Sequence, residues 1–153
     1  MPDATLARSW TTKLAAVPQT ASPEMLVAFR EGFECWNHGE IDPMLDSYEP
    51  QATVDMSRVL PDESVLHGQD AFRPFFHRLW DAWEGVRYDP EEIFELGEDR
   101  FLVTTRVWGR GRASGIEIDR RQGFLYTLGP SGVTSLVVYP STDDALAAVA
   151  RGD

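Results

Sequence analysis

Apolar residues recur at three- and four-residue spacing in two stretches of the chain, and each stretch predicts an amphipathic helix. The first begins at Ser22-Pro23, because serine is a good N-cap and proline suits the first helical position. It ends near Gly39, since glycine readily takes the left-handed conformation that follows a helix. The second runs from about Asp70 to Trp83 and ends at Gly85. The two apolar faces consist of Met25, Phe29, Phe33 and Trp36, and of Phe72, Phe75, Phe76, Leu79, Trp80 and Trp83.

The remainder of the chain predicts a short helix and a run of strands. The short helix starts at Asp42-Pro43 and stops at Pro50, and a strand follows at Ala52-Thr53-Val54. The later strands alternate with glycine-containing turns, and Ser141 caps a closing helix. Helices followed by an antiparallel meander define an α+β fold. The predicted later strands span 86–96, 101–112, 116–128 and 133–139.

Length and composition limit the classes of protein that fit. A chain of 153 residues is long enough for one domain with its own core. We assign residues 22–150 to that domain and residues 1–21 to an N-terminal arm or an extra helix. The net charge of −11 disfavours nucleic acid and anionic membrane as partners, and no apolar run reaches the roughly 20 residues that span a bilayer. A single cysteine and no recognisable secretory signal predict a cytoplasmic protein.

Several short motifs resemble one known superfamily. They are the segments 37–42, 52–54, 68–72 and 110–115, together with Leu45, Tyr48 and Ala145-Leu146. These motifs resemble the nuclear transport factor 2-like superfamily, above all the SnoaL-like polyketide cyclases and, more distantly, the ketosteroid isomerases. The resemblance covers about residues 23–149 and implies a cone-shaped fold with a pocket at its open mouth. The fold carries isomerases, cyclases, dehydratases, epoxide hydrolases and non-enzymes, so the resemblance alone does not define an activity.

The resemblance to ketosteroid isomerases implies positions for their catalytic groups, and this sequence lacks those groups there. The general base falls at Met56 and the phenolic donor at Gly32. The protonated acid falls at Gly123 or Phe124. Asp55 is one position from the base, and neighbouring strand residues point to opposite faces. We therefore expect no isomerisation by that mechanism. Asp55 stays a candidate catalytic base; the alternatives are a solvated strand residue or a partner of an arginine.

Three arginines in the long strands are candidates for binding an enolate or carboxylate inside the cone: Arg106, Arg120 and Arg121. Arg106 is the one that we select as catalytic. The alternative for each is cross-strand pairing on an exposed face. SnoaL-like cyclases imply an acid on the strand 116–128, where Asp119 lies close to the turn.

Aromatic side chains are numerous enough to line an apolar pocket as well as to fill a core. The predicted ligand-binding residues are Trp36, Met56, His67, Phe76, Trp80, Trp108, Phe124 and Tyr126. The three histidines lack metal-ligand spacing, so we predict neither a metal nor a cofactor. Strand alternation predicts that Met56 points into the cone and that Asp55 does not.

The sequence therefore leaves three hypotheses. The first is a SnoaL-like protein that binds a small apolar or aromatic molecule in the cone. The second is a cyclase, isomerase or lyase that applies acid–base chemistry to a polycyclic or ketone substrate. The third is an association module that uses the sheet surface. Apolar residues on both faces of the strand 101–108, among them Leu102 and Trp108, also predict a homodimer.

Overall fold

The computed structural model describes residues 19–20, 23–60 and 65–152. Within these ranges the chain forms four helices and seven strands. The helices are α1 (Pro23–Asn37), α2 (Ile41–Leu45), α3 (Gln69–Ala82) and α4 (Thr142–Arg151). The strands are β1 (Gln19–Thr20), β2 (Tyr48–Asp55), β3 (Leu66–His67), β4 (Trp83–Gly97), β5 (Arg100–Gly111), β6 (Glu117–Gly129) and β7 (Gly132–Tyr139). None of the described helices is long and apolar enough to cross a bilayer.

The strands form one curved sheet in the order β1-β4-β5-β6-β7-β2-β3. All neighbouring pairs are antiparallel except β2 and β7, which are parallel. Helices α1 and α3 pack against the concave face of the sheet, where their aromatic residues join the main core. This confirms the predicted α+β cone. Apart from β1, the predicted N-terminal segment 1–21 lies outside the described residues, as does the predicted N-cap Ser22.

Helix α4 covers part of the outer face, including Leu102, one of the two residues from which a homodimer was predicted. Leu102 is fully buried there in a second cluster with Leu125 and Leu146. The hydroxyls of Thr104 and Thr142 lie 2.7 Å apart and join β5 to the same helix. The outer face of β5 is thus covered by the chain itself at Leu102, whereas Trp108 is only partly buried.

Two predicted helix boundaries are wrong, each because a strand begins earlier than expected. Helix α2 starts at Ile41, and the chain enters β2 at Tyr48, so that Pro50 lies in a strand. The pairing of β2 with β7 is irregular between Tyr48 and Thr53, which accommodates a proline without a donor. Helix α3 ends before Trp83, which is extended, and Gly85 occupies an irregularity in β4 with a φ of 70°.

The end of α1 is fixed to the sheet through one side chain. The Tyr88 backbone N–H donates to Asn37 Oδ1 at 2.8 Å, and Asn37 Nδ2 donates to the Tyr88 carbonyl at 2.9 Å. This paired contact holds β4 against the helix whose aromatic face fills the cone. It therefore sets the position of the Tyr88 ring inside the cone.

Candidate functional site

The concave side of the sheet encloses three cavities that follow one another along β6. The mouth cavity, of about 190 Å³, lies at the start of β6. The central cavity, of about 20 Å³, lies beside Phe124 and Tyr126. The rear cavity, of about 180 Å³, lies at the end of β6 beside Leu128. The mouth cavity is lined by Met56, Val59, Leu60, Leu79, Trp83, Val86, Tyr88, Val107, Ile118, Arg120 and Gln122.

Aromatic side chains fill the middle of the cone and separate the two larger cavities. Trp36 is fully buried and stacks on Tyr88 with ring centroids 4.9 Å apart. It also meets Phe76 and Trp80 edge-on, at 6.0 and 5.3 Å. The central cavity that these rings leave has room for about one water molecule. A ligand of any size therefore has to occupy one of the end cavities.

Three buried tyrosines, Tyr48, Tyr88 and Tyr126, also line the central cavity. Burial raises the pKa of each hydroxyl well above its usual value, and the Tyr126 hydroxyl interacts with that of Tyr48. These phenols stay protonated at neutral pH, so they act as hydrogen-bond donors and not as bases.

Asp55 is held outside the cone by its own neighbours. Its Oδ1 accepts hydrogen bonds from Ser57 Oγ at 2.6 Å and Ser57 N at 3.0 Å, and its Oδ2 accepts from Arg58 at 2.7 Å. Partial burial opposes ionisation of Asp55, but these hydrogen bonds together outweigh it and hold its pKa below the usual value. Met56, one residue later, is buried and lines the mouth and central cavities. This is the orientation that strand alternation predicts.

The three candidate arginines divide between the two faces of the sheet. Arg106 donates to both carboxylate oxygens of Asp119, at 2.9 and 2.8 Å, and Arg121 donates to both of Glu91, at 2.6 and 3.1 Å. These two pairs lie on the outer face. Arg120 instead stands opposite Val107 in the β5–β6 register and lines the mouth cavity.

Gln122 is the second polar group on the same wall of the mouth cavity. It stands two residues beyond Arg120, and the two side chains therefore share one face of β6. Only 9% of its surface is exposed, and it forms no hydrogen bond with any described residue. Its amide can therefore donate to, or accept from, a polar group of a ligand in the cavity.

The structure divides the predicted ligand-binding set among several cavities. Met56 lines the mouth cavity, Tyr126 lines the rear and central cavities, and Trp36, Phe76 and Phe124 surround the central one. Trp80 packs between Trp36 and Gly39. His67 is exposed on β3 at the sheet edge.

Trp108 lies on the outer face, in an open depression of about 290 Å³ beside Arg110 and Glu117. Its indole N–H donates to Asp89 at 3.1 Å, and the Arg106 guanidinium lies 5.3 Å from its ring centre. Trp108 and Arg106 are therefore both placed away from the cone.

Sequence reasoning missed Gln122, Leu79, Val86 and Tyr88 as cavity-lining residues. A usable signal was present for one of them. Phe124 was assigned to the pocket, and every second residue of a strand shares its face. Gln122 and Arg120 follow from Phe124 by this rule, because β5 and β6 pair without irregularity in this region.

The described helices and curved, unclosed sheet form the nuclear transport factor 2-like fold. A family model, the SnoaL-like domain, matches residues 29–132, and the chain belongs to that family. No curated protein sequence matches the chain significantly.

Solved structures share the fold at low sequence identity. A hypothetical Catenulispora acidiphila protein with a ketosteroid isomerase-like fold, in complex with trimethylamine, is 14% identical, with a TM-score of 0.66 over 79% of this chain and 88% of that one. The epoxide hydrolase/cyclase-like enzyme SalBIII, of pyran ring formation in salinomycin, is 20% identical, with a TM-score of 0.63 over 79% and 92%. A Mycobacterium tuberculosis protein in complex with estradiol-17β-hemisuccinate is 19% identical, with a TM-score of 0.64 over 77% and 94%.

Proposed function

We propose that this protein binds a small, largely apolar molecule in the mouth cavity. The observation that carries the proposal is a cavity of about 190 Å³ whose wall is mostly aliphatic and aromatic, with Arg120 and Gln122 side by side on β6. Apolar walls with a few placed polar groups are typical of ligand sites. Small-molecule complexes of proteins with the same fold support this proposal.

The volume of the cavity limits the size of the ligand. An engineered apolar cavity of about 150 Å³ in another protein binds benzene. A cavity of about 190 Å³ therefore encloses one ring with a short substituent. A polycyclic ligand would fit only with most of its rings outside the cavity.

Binding is favoured over acid–base catalysis by the chemistry of the cavity wall. Among the described lining residues, the polar side chains are those of Arg120, Gln122, Tyr88 and Trp83. None of these accepts a proton at neutral pH, since burial raises the pKa of Tyr88. A cyclase, isomerase or lyase would need a proton acceptor facing its substrate. The described part of the wall therefore supports binding.

Two further predictions from the sequence belong to this proposal. A cytoplasmic location is supported by the single cysteine, which permits no intrachain disulfide. The homodimer remains a prediction. Leu102, one of the residues from which the dimer was predicted, lies beneath α4. Sedimentation at micromolar concentration tests whether the dimer forms.

The experiment that tests the proposal is a titration with 2-phenylacetamide, a neutral one-ring probe, followed by tryptophan fluorescence. Trp83 lines the cavity and reports on its occupancy. Saturable binding is expected in the wild type and should be lost in Val59→Trp, which fills the cavity. Val27→Trp is the matched control, because Val27 is 56% exposed on α1. Equal binding by both variants, or no binding by the wild type, would contradict the proposal.

A further inference from the structure

The mouth cavity carries a polar feature that an apolar ligand alone does not explain. Arg120 and Gln122 lie two residues apart on β6, so their Cα atoms are separated by about 6.6 Å along one face of the strand. At this spacing, the Arg120 guanidinium and the Gln122 amide can both reach the same polar group of a ligand. Neither side chain forms a hydrogen bond with any described residue.

Other arginines of strands β5 and β6 form ion pairs with carboxylates of the same sheet. On the outer face Arg106, Arg110 and Arg121 each bind a carboxylate from a neighbouring position. Arg120 has no such partner among the described residues, although the protein carries a net charge of −11. No Asp or Glu of the described residues lines the mouth cavity either. Within the described ranges, no carboxylate therefore neutralises the positive charge of Arg120.

Gln122 supplies the second, independent observation. The residue is 9% exposed, it lines the cavity, and its amide forms no hydrogen bond with any described residue. The N–H₂ group of an amide donates hydrogen bonds, as the guanidinium does, and a carboxylate accepts hydrogen bonds from both. One carboxylate between Arg120 and Gln122 would give the amide a hydrogen-bond partner and would neutralise the guanidinium.

We infer that the ligand of the mouth cavity is a monoanion of one-ring size, an aromatic or similarly compact apolar carboxylate. Its ring lies among Met56, Leu79 and Val107, and its carboxylate accepts hydrogen bonds from Arg120 and Gln122. The inference rests on the proposed function and adds to it the charge and the size of the ligand. Arg120 is exposed, so the carboxylate lies at the rim and the apolar body points inward.

Calorimetric titration with phenylacetate and with 2-phenylacetamide tests the charge preference. The two probes have the same ring and nearly the same shape, and only the first is an anion. The wild type should bind phenylacetate about tenfold more tightly, since a hydrogen bond to a charged group contributes more than a neutral one. The difference should shrink as salt is added, because Arg120 is exposed.

The decisive comparison is Arg120→Gln against Arg121→Gln. Both variants remove one positive charge from adjacent positions of β6, so the long-range field changes equally in the two. Arg120→Gln should abolish the preference for phenylacetate, and Arg121→Gln should retain it, because Arg121 binds Glu91 on the outer face. Equal behaviour of the two variants would overturn the inference.

Gln122→Glu provides a second variant of the same shape. It should weaken phenylacetate binding strongly and leave 2-phenylacetamide binding nearly unchanged, because a carboxylate there repels the anion and pairs with Arg120. Thermal melting checks that the Gln122→Glu variant folds. If it does not fold, the comparison of Arg120→Gln with Arg121→Gln still tests the inference. If the wild type binds both probes equally well, the inference fails and the proposed function stands. If it binds neither probe, both fail.

Discussion

Asp55 and Met56 are adjacent in the chain, yet their side chains lie on opposite sides of the sheet. The Asp55 carboxylate accepts a hydrogen bond from Arg58 at 2.7 Å, outside the cone. The Met56 side chain is 95% buried and lines two of the cavities. The Asp55 carboxylate, which could remove a proton, therefore points away from the cone, and the uncharged thioether of Met56 points into it.

Asp55→Asn should lower the free energy of unfolding by about 1 kcal/mol at neutral pH, because it removes the ionic hydrogen bond to Arg58. The pKa of Asp55 is depressed in the folded state, so its contribution is present above the usual aspartate value of 3.8. It is lost as the pH falls through the lower, folded pKa. Denaturant unfolding of both proteins at several pH values should show a difference that shrinks below about pH 4. Asp81→Asn, at an exposed position, is the control, and an equal loss in the control would contradict the assignment.

Isomerisation of an unsaturated ketosteroid should be undetectable with the wild-type protein. Met56 supplies no carboxylate to remove a proton from carbon, and Asp55 faces away from the cone. The absorbance of the conjugated product measures the reaction. Turnover that disappears in Asp55→Asn would show that Asp55 reaches the substrate, and the binding proposal would then give way to an enzyme.

Trp36→Ala should destabilise the fold more than Trp80→Ala does. Trp36 is fully buried, so its truncation should cost about 3–5 kcal/mol. Trp80, which the sequence places on the apolar face of the second helix, is only half-buried, so its truncation should cost less, about 1–3 kcal/mol. Urea unfolding of the two variants measures the order. A larger loss for Trp80→Ala would mean that the packing at the centre of the cone differs from that described.

Gly39→Ala should cost more than Gly115→Ala, although both glycines have similar positive φ values, 76° and 70°. An L-residue in the left-handed region costs roughly 1–2 kcal/mol at either position. At Gly39 the new methyl would also lie 3.1 Å from Trp80, whereas nothing lies within 4 Å at Gly115. The difference in melting temperature between the two variants measures the cost of the contact with Trp80. Equal melting temperatures would show that Trp80 moves aside without a loss of stability.

The sequence predicted the four helices and the five longer strands because local signals are strong there, and it missed the two-residue strands β1 and β3. Pro23 and the spacing of Phe29, Phe33 and Trp36 define α1 without reference to the rest of the fold. Leu102 shows what such signals leave out. Periodicity indicates that a strand face is apolar, but the element that covers the face is a matter of tertiary packing, and here it is α4.

The candidate site was predictable to a similar degree. Alternation placed Met56 in the cone correctly, because β2 is regular from Thr53 to Asp55. The choice among Arg106, Arg120 and Arg121 required the register of β6 against β5, which the sequence left open. The partners Asp119 and Glu91, which hold two of the arginines on the outer face, became evident only once the strands were paired.

Methyl NMR on protein labelled at the methionine Cε atoms tests the central claim most directly. Met56 lines the mouth cavity, Met25 lines the rear cavity, and Met44 lines the rear and central cavities. Titration with 2-phenylacetamide should shift the Met56 methyl signal through the ring current and give contacts from that methyl to the probe, while the Met25 signal stays in place. Shifts at Met25 and Met44 with an unchanged Met56 signal would place the ligand in the rear cavity and contradict the account.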